Sequence, residues 1–192
     1  MTVEQAFFEE HRERYAQAYA SGVLVPEEHY RLVEDLDRVA ADAGVLPGDV
    51  CSRLSERCHE VQVEFVREFR RWRGVGLIYE GNWPDLDLEA RAMVGALVRN
   101  FIPARFVLAE DLVSRLFDGE EFDHDALFIP DFAEQGARVT AARSQMVGGL
   151  IGKRLSGGLK TVLGAASMPV VQTGYGDSLR RTLERRFERV QA

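Results

Sequence analysis

Apolar positions in the first 73 residues repeat at three- and four-residue spacing, the period of a helix with one buried face. Residues 2–20 place Phe8, Tyr15 and Tyr19 near one side. Residues 27–43 open on Pro26 and Glu27-Glu28, which suit a first helical turn. They repeat Leu32, Leu36, Val39 and Ala43, and Gly44 ends the run. The longest stripe, Val50, Leu54, Cys58, Val61, Phe65, Phe69 and Trp72, predicts one continuous helix over 49–73, entered through a Pro47-Gly48 turn. Gly74 changes the period. Short apolar runs follow at 75–80 (VGLIYE), 104–109 (ARFVLA), 125–130 (DALFIP) and 160–166 (KTVLGAA). Helical stretches at 86–100, 109–118 and 136–155 separate them, and a last helix is predicted over 177–190. Strands alternating with helices predict a parallel sheet with right-handed crossovers, and near-continuous apolar strands predict cover on both faces. A helical N-terminal region, 1–73, therefore precedes an α/β region, 74–192.

Composition adds limits. The 192 residues are 46% apolar and 29% charged, enough to bury the core of one ordinary domain. No apolar run approaches the ~20 residues of a membrane span. The opening MTVEQAFFEEHRER is acidic and lacks a signal-peptide core. Two cysteines make no disulfide framework, and no Cys/His spacing resembles a metal site. A cytoplasmic protein is expected. The net charge of −7 is unevenly spread: residues 76–136 hold 13 acids and 4 bases, whereas 137–192 hold 3 acids and 10 bases. Such polarity fits either a basic face for a polyanion or neutralisation within one fold.

In a parallel sheet, ligands bind beyond the C-terminal ends of the strands. The loop after the first strand is the position of a phosphate-binding GxxxxGK(S/T) loop. Laid from Gly81, that pattern puts Leu86 at the second glycine, Asp87 at the lysine and Leu88 at the Ser/Thr. The loop works because glycines let backbone N–H groups wrap phosphates and lysine adds positive charge. Here a bulky side chain replaces the glycine and a carboxylate the ammonium, flanked by Asp85 and Glu89. Three acids at a helix start suit its dipole and repel a triphosphate. No nucleotide cofactor is expected.

The order of these segments resembles the AAA+ helicase loaders and the related transposition-helper ATPases. RFVLAEDLVSRL (105–116) resembles the family's strand-helix segment after the phosphate loop. DALFIPDF (125–132) stands at the Walker B strand, with Pro130 at the first acid and Asp131 at the second. KTVLGAASMP (160–169) resembles the sensor strand, with Ala166 or Ser167 at its polar end. GYGDSLRRTLERRF (174–187) resembles the stretch carrying the family's late arginines. The resemblance spans 74–192 and implies an AAA+-like, P-loop NTPase-like sheet flanked by helices. Every catalytic motif is altered, which implies a pseudo-ATPase. The chain ends early for this family, so a fifth strand after the last helix is expected to be missing. In the family the N-terminal part grips a replicative helicase, a role that would fall to Phe7, Phe8, Tyr15 and Tyr19.

The tail carries further chemistry. Lys153, Arg154 and Lys160 flank the fourth strand, and Arg180, Arg181, Arg185, Arg186 and Arg189 load the last helix beside an apolar row, Leu179, Leu183 and Phe187. Exposed, such cations hold phosphate backbones without reading sequence; alternatively they pair with Glu184 and Glu188. LSGG (155–158) matches the signature of ABC transporter ATPases, but a helix C-terminus explains it. Asp123, His124 and Asp125 precede the third strand, the wrong end of a sheet for a metal. The first expectation is a non-catalytic replication or recombination accessory protein binding a helicase-type partner and DNA. The alternatives are a nucleotide hydrolase using Asp131 for Mg²⁺ and Lys153 or Lys160 for the missing lysine, and a protein-protein adaptor or inhibitor with no DNA role.

Overall fold

A computed structural model describes residues 36–100 and 102–191. The aromatic set Phe7, Phe8, Tyr15 and Tyr19, and the predicted helix over 2–20, lie outside the described residues. Four short helices come first: α1 (Leu36–Ala43), α2 (Pro47–Cys51), α3 (Leu54–Arg57) and α4 (Glu60–Arg67). Then follow β1 (Gly76–Glu80), α5 (Leu86–Arg99), β2 (Ala104–Phe106), α6 (Ala109–Phe117), β3 (Ala126–Ala133) and α7 (Ala141–Ser156). The last elements are β4 (Lys160–Ala165), α8 (Met168–Tyr175), α9 (Asp177–Arg186) and β5 (Glu188–Gln191).

The single helix predicted over 49–73 is corrected to α2, α3 and α4. Local polar bonds compete with a continuous helix. Ser52 Oγ donates back to Asp49 O at 2.8 Å, and Ser52 and Arg53 adopt extended backbone. Cys58 and His59 are extended too, and Gln62 Oε1 accepts the His59 N–H at 2.7 Å, starting a new helix. The stripe still points inward: Val50, Phe65 and Phe69 are buried.

All five strands are parallel, in the order β2-β3-β4-β1-β5. The expectation of a missing fifth strand is therefore wrong. Phe187 turns extended and buries its ring, and residues 188–191 pair with β1 from Leu77↔Glu188 to Glu80↔Gln191. The helix predicted over 177–190 accordingly stops at Arg186.

The two-residue period of the strands builds two cores. Leu77 and Tyr79 of β1, Phe128 of β3 and Val162 of β4 pack beneath α5 together with Leu36, Val50 and Phe65. Ile78, Leu127, Ile129 and Leu163 face the other way, against Leu112 of α6, Ile151 of α7, Val171 of α8 and Leu183 of α9. The helices of 36–67 thus share a core with the sheet. At their tightest contact, a Cβ added to Gly95 of α5 would lie 2.4 Å from Asp49 O, so α2 and α5 meet backbone against backbone.

Candidate functional site

The C-terminal ends of β1, β3 and β4 lie side by side and form the floor of a trough. Its first compartment, about 440 Å³, is lined by the 81–86 turn, Pro130, Ala133–Gln135 and Gly164–Ala166. A second, about 580 Å³, shares Ala133, Glu134 and Gln135 and continues between the 133–139 loop and α8.

The loop after β1 is short. Gly81 takes φ +118°, open to glycine, and its N–H bonds Ala165 O at 3.0 Å. Leu86 N–H donates to Trp83 O and Glu89 N–H to Asp85 O, so these amides are spent within the turn and first helical turn. Leu86 is buried, and a Cβ on Gly164 would lie 2.7 Å from its Cδ2 and 1.8 Å from Pro130 O. Glycine in β4 is what admits both. Leu88 points outward and is exposed.

The acids of the α5 start do more than suit its dipole. Asp85 makes no side-chain cap. Asp87 pairs with Arg91 at 3.1 Å. Glu89 is buried, accepts from Gln62 Nε2 at 2.6 Å and lies 3.3 Å from His59 Nε2. Trp83 stacks edge-on against Tyr79 and His59, at centroid distances of 5.2 and 5.5 Å. Cys58 donates to Glu89 O. Burial, then the nearby Glu89 charge, pushes its thiol up to about 12, and Arg57 opposes them.

At the Walker B position Pro130 offers no carboxylate. Asp131 Oδ1 accepts the Ala109 N–H at 2.8 Å and so holds the start of α6. Burial raises its pKa, against that hydrogen bond. At the sensor position Ala166 lines the trough, and Ser167 Oγ accepts from Val170 N–H as the cap of α8.

Glu80, which pattern reading passed over as the end of a strand, ties three elements together. Its carboxylate accepts the Met168 N–H at 3.0 Å and pairs with Arg189 of β5. Burial pushes its pKa up, but the hydrogen bonds from Arg189 and Met168 and the arginine's charge hold it below the usual value. An acid followed by a glycine at the end of a first strand was the only signal available.

The eight cations of the tail do not form one face. Arg154 is 1% exposed, and its guanidinium donates to Thr161 Oγ1 and to the carbonyls of Phe122, His124 and Lys160. Its burial pulls its pKa down to about 10, against the charges of Asp123 and Asp125. It is a core residue and presents nothing to a polyanion. Lys160 Nζ donates to Trp72 O and lies over the Phe69 ring. Lys160 aligns with Ala126 at the start of β3, so it stands at the opposite end of the sheet from the trough, about 16 Å away at strand rise. Lys153 pairs with Glu121 near that same end. Neither lysine reaches the phosphate position. Arg180 bonds Asp177 and Glu184, and Arg189 is engaged with Glu80. Arg181, Arg185 and Arg186 are exposed and, with Asp177, Ser178 and Thr182, line an open depression of about 510 Å³. Arg181 also pairs with Asp177 at 2.7 Å.

Among the described residues there is no group of three metal-ligating side chains, and no helix is long and apolar enough to cross a membrane. LSGG closes α7, with Gly158 at φ +71°. His124 is half-buried, its pKa lowered by that burial first and by the Arg105 charge.

No protein-family model and no curated protein sequence matches the chain. Solved structures do. The DnaC helicase loader aligns over 73% of this chain and 90% of its own, with 15% identity and a TM-score of 0.56. DnaI aligns over 75% and 89%, with 12% identity and a TM-score of 0.56. AMPPCP-bound DnaA from Aquifex aeolicus aligns over 69% of this chain and 44% of its own, with 16% identity and a TM-score of 0.54. The chain shares its fold with these structures. The parallel sheet and its flanking helices agree with the sequence resemblance.

Proposed function

We propose that this chain is a replication or recombination accessory protein of helicase-loader type that works by binding a helicase-class partner and DNA, without nucleotide turnover. One observation supports the non-catalytic part: Leu86, where the phosphate-loop pattern puts its second glycine, is buried and rests on Gly164, with Asp85 and Asp87 next to it in sequence and Pro130 where the pattern expects the first acid. A triphosphate there would meet aliphatic surface and like charge in place of amides and lysine. The hydrolase alternative loses its substitute lysines, because Lys153 and Lys160 stand at the far end of the sheet. The likeness to DnaC and DnaI supports the partner class.

The deciding experiment is thermal unfolding with MgATP or MgADP. A ligand at 100 times its Kd adds about 2.7 kcal/mol and visibly raises Tm. No shift up to millimolar nucleotide is expected; a saturable rise would overturn the reading. DNA contact is assigned to Arg181, Arg185 and Arg186 of α9. Affinity should fall steeply between 50 and 200 mM salt, as phosphate contacts require. The double substitution Arg181→Glu and Arg185→Glu should lower it at least tenfold with Tm unchanged. Equal affinity in that variant would leave the adaptor alternative.

A further inference from the structure

The basic depression on α9 contains its own competitor for a polyanion. We infer that its ligand is the backbone of double-stranded DNA, and that a phosphate displaces Asp177 from Arg181 as the duplex docks. The inference rests on the proposed reading that α9 meets DNA. It goes further by naming the form of DNA and the residue that limits its affinity.

The lining bears on the form. Its side chains are Asp177, Ser178, Arg181, Thr182, Arg185 and Arg186, three guanidiniums against one carboxylate. Ser178, Arg181, Thr182 and Arg185 stand at i, i+3, i+4 and i+7 of one helix, so they form a single stripe about 10 Å long. Guanidiniums and hydroxyls are the groups that hold phosphate oxygens. Single strands are gripped by aromatic rings on which bases stack, whereas every side chain of this lining is polar. A duplex carries one charge per ~1.7 Å of axis, twice the density of one strand, so a surface built of cations favours it.

The ion pairs bear on the exchange. Arg185 and Arg186 make no ion pair among the described residues. Arg181 is 62% exposed and holds Asp177 Oδ2 at 2.7 Å. The other oxygen of Asp177 accepts from Arg180 Nε at 3.1 Å and Nη2 at 2.9 Å. Asp177 therefore keeps a cation when Arg181 turns outward, and no carboxylate is stranded. Arg180 differs, because it also binds both oxygens of Glu184 at 2.7 Å. Drawing Arg180 away would break its bonds to two acids at once. Two neighbouring arginines thus divide the work: Arg180 fastens the helix, and Arg181 is free to trade one anion for another. In the unbound protein Asp177 holds the place of a phosphate on Arg181 and keeps affinity down.

The test titrates the full chain with a DNA duplex and with oligothymidine of the same length, at one salt concentration. The duplex should bind at least threefold more tightly. Asp177→Asn and Asp177→Ser, which both keep a polar group at the start of α9, should each tighten the duplex at least threefold, with thermal melts verifying the fold. Glu110→Gln removes the same charge from an exposed acid of α6 and should change affinity less than twofold. Oligothymidine binding as tightly as the duplex, Asp177 variants with unchanged or lower affinity, or equal tightening by Glu110→Gln would each overturn the inference. Undiminished affinity in the Arg181→Glu and Arg185→Glu double variant would instead overturn the assignment of DNA to α9, so the two failures are read from different variants.

Discussion

Arg154 and Cys58 show how strongly single side chains depend on where the fold puts them. Arg154→Ala removes a buried guanidinium and leaves Thr161 Oγ1 and the carbonyls of Phe122, His124 and Lys160 short of a donor. Loss of such a network costs on the order of 3 kcal/mol or more. Tm should drop by about 6 °C or more in a chain of this size. Arg154→Lys should rescue little, since one ammonium cannot reproduce the planar fork. Thermal melts check both. Cys58 makes a chemical prediction. With its thiol raised to about 12, almost no thiolate exists at pH 8, and alkylation of Cys58 in the folded protein should be far slower than in denaturant. The sign for stability follows. The unfolded thiol ionises near 9, so above that pH the unfolded state sheds a proton that the folded state keeps, and stability declines between about 9 and 12. Cys58→Ala should flatten that decline in denaturant titrations. Burial of Tyr79 acts in the same direction.

At the scale of elements, Glu80 sets how firmly α8 and β5 are held. β5 is four residues long and pairs only with β1 among the described strands, so its Arg189–Glu80 link matters out of proportion to its length. Glu80→Gln should cost about 1.5–3 kcal/mol at neutral pH, the value of hydrogen bonds to a charged group. Because the folded carboxyl lies below its unfolded value, its contribution is present at neutral pH and fades as pH falls through the carboxylate range. The gap between the native chain and the variant should therefore narrow on acidification, and hydrogen exchange at 188–191 should quicken in the variant at neutral pH. The α2–α5 contact makes a second test. Gly95→Ala would drive a methyl into Asp49 O and should destabilise by about 1–3 kcal/mol, although alanine favours helices, as chemical unfolding would register.

For the whole molecule, the parallel sheet and its doubly covered core were legible because apolar period is what burial selects. Strands such as GLIYE carry that signal in nearly every residue. The vacancy of the phosphate motif was equally plain, since glycine and lysine at fixed spacing either are there or are not. What stayed hidden depended on distant partners. ERVQ carries no strand pattern; it is a strand because β1 offers a free edge and Phe187 buries its ring. Arg154 reads as a surface cation at the end of a helix, and its four acceptors come from two stretches of chain, 122–124 and 160–161, that meet it only when folded. The breaks between α2, α3 and α4 come from side-chain bonds that an unbroken apolar stripe outweighs on paper. Charge polarity survived folding only in part, because intramolecular pairs consume Arg180 and Arg189 and leave Arg181, Arg185 and Arg186 of α9 exposed.

If the proposed reading holds, the Leu86–Gly164 contact makes a phosphate loop hard to restore. Trimming Leu86 to glycine would open a hole over Gly164 and cost several kcal/mol, as large-to-small core changes do, before any phosphate arrived. Asp87→Lys would forfeit the Arg91 pair, and Pro130 would still present no carboxylate. On the proposed reading, each step toward an ATPase is a loss until all are taken together, so the side chain acts as a ratchet. Random single mutants selected for ATP hydrolysis should yield none.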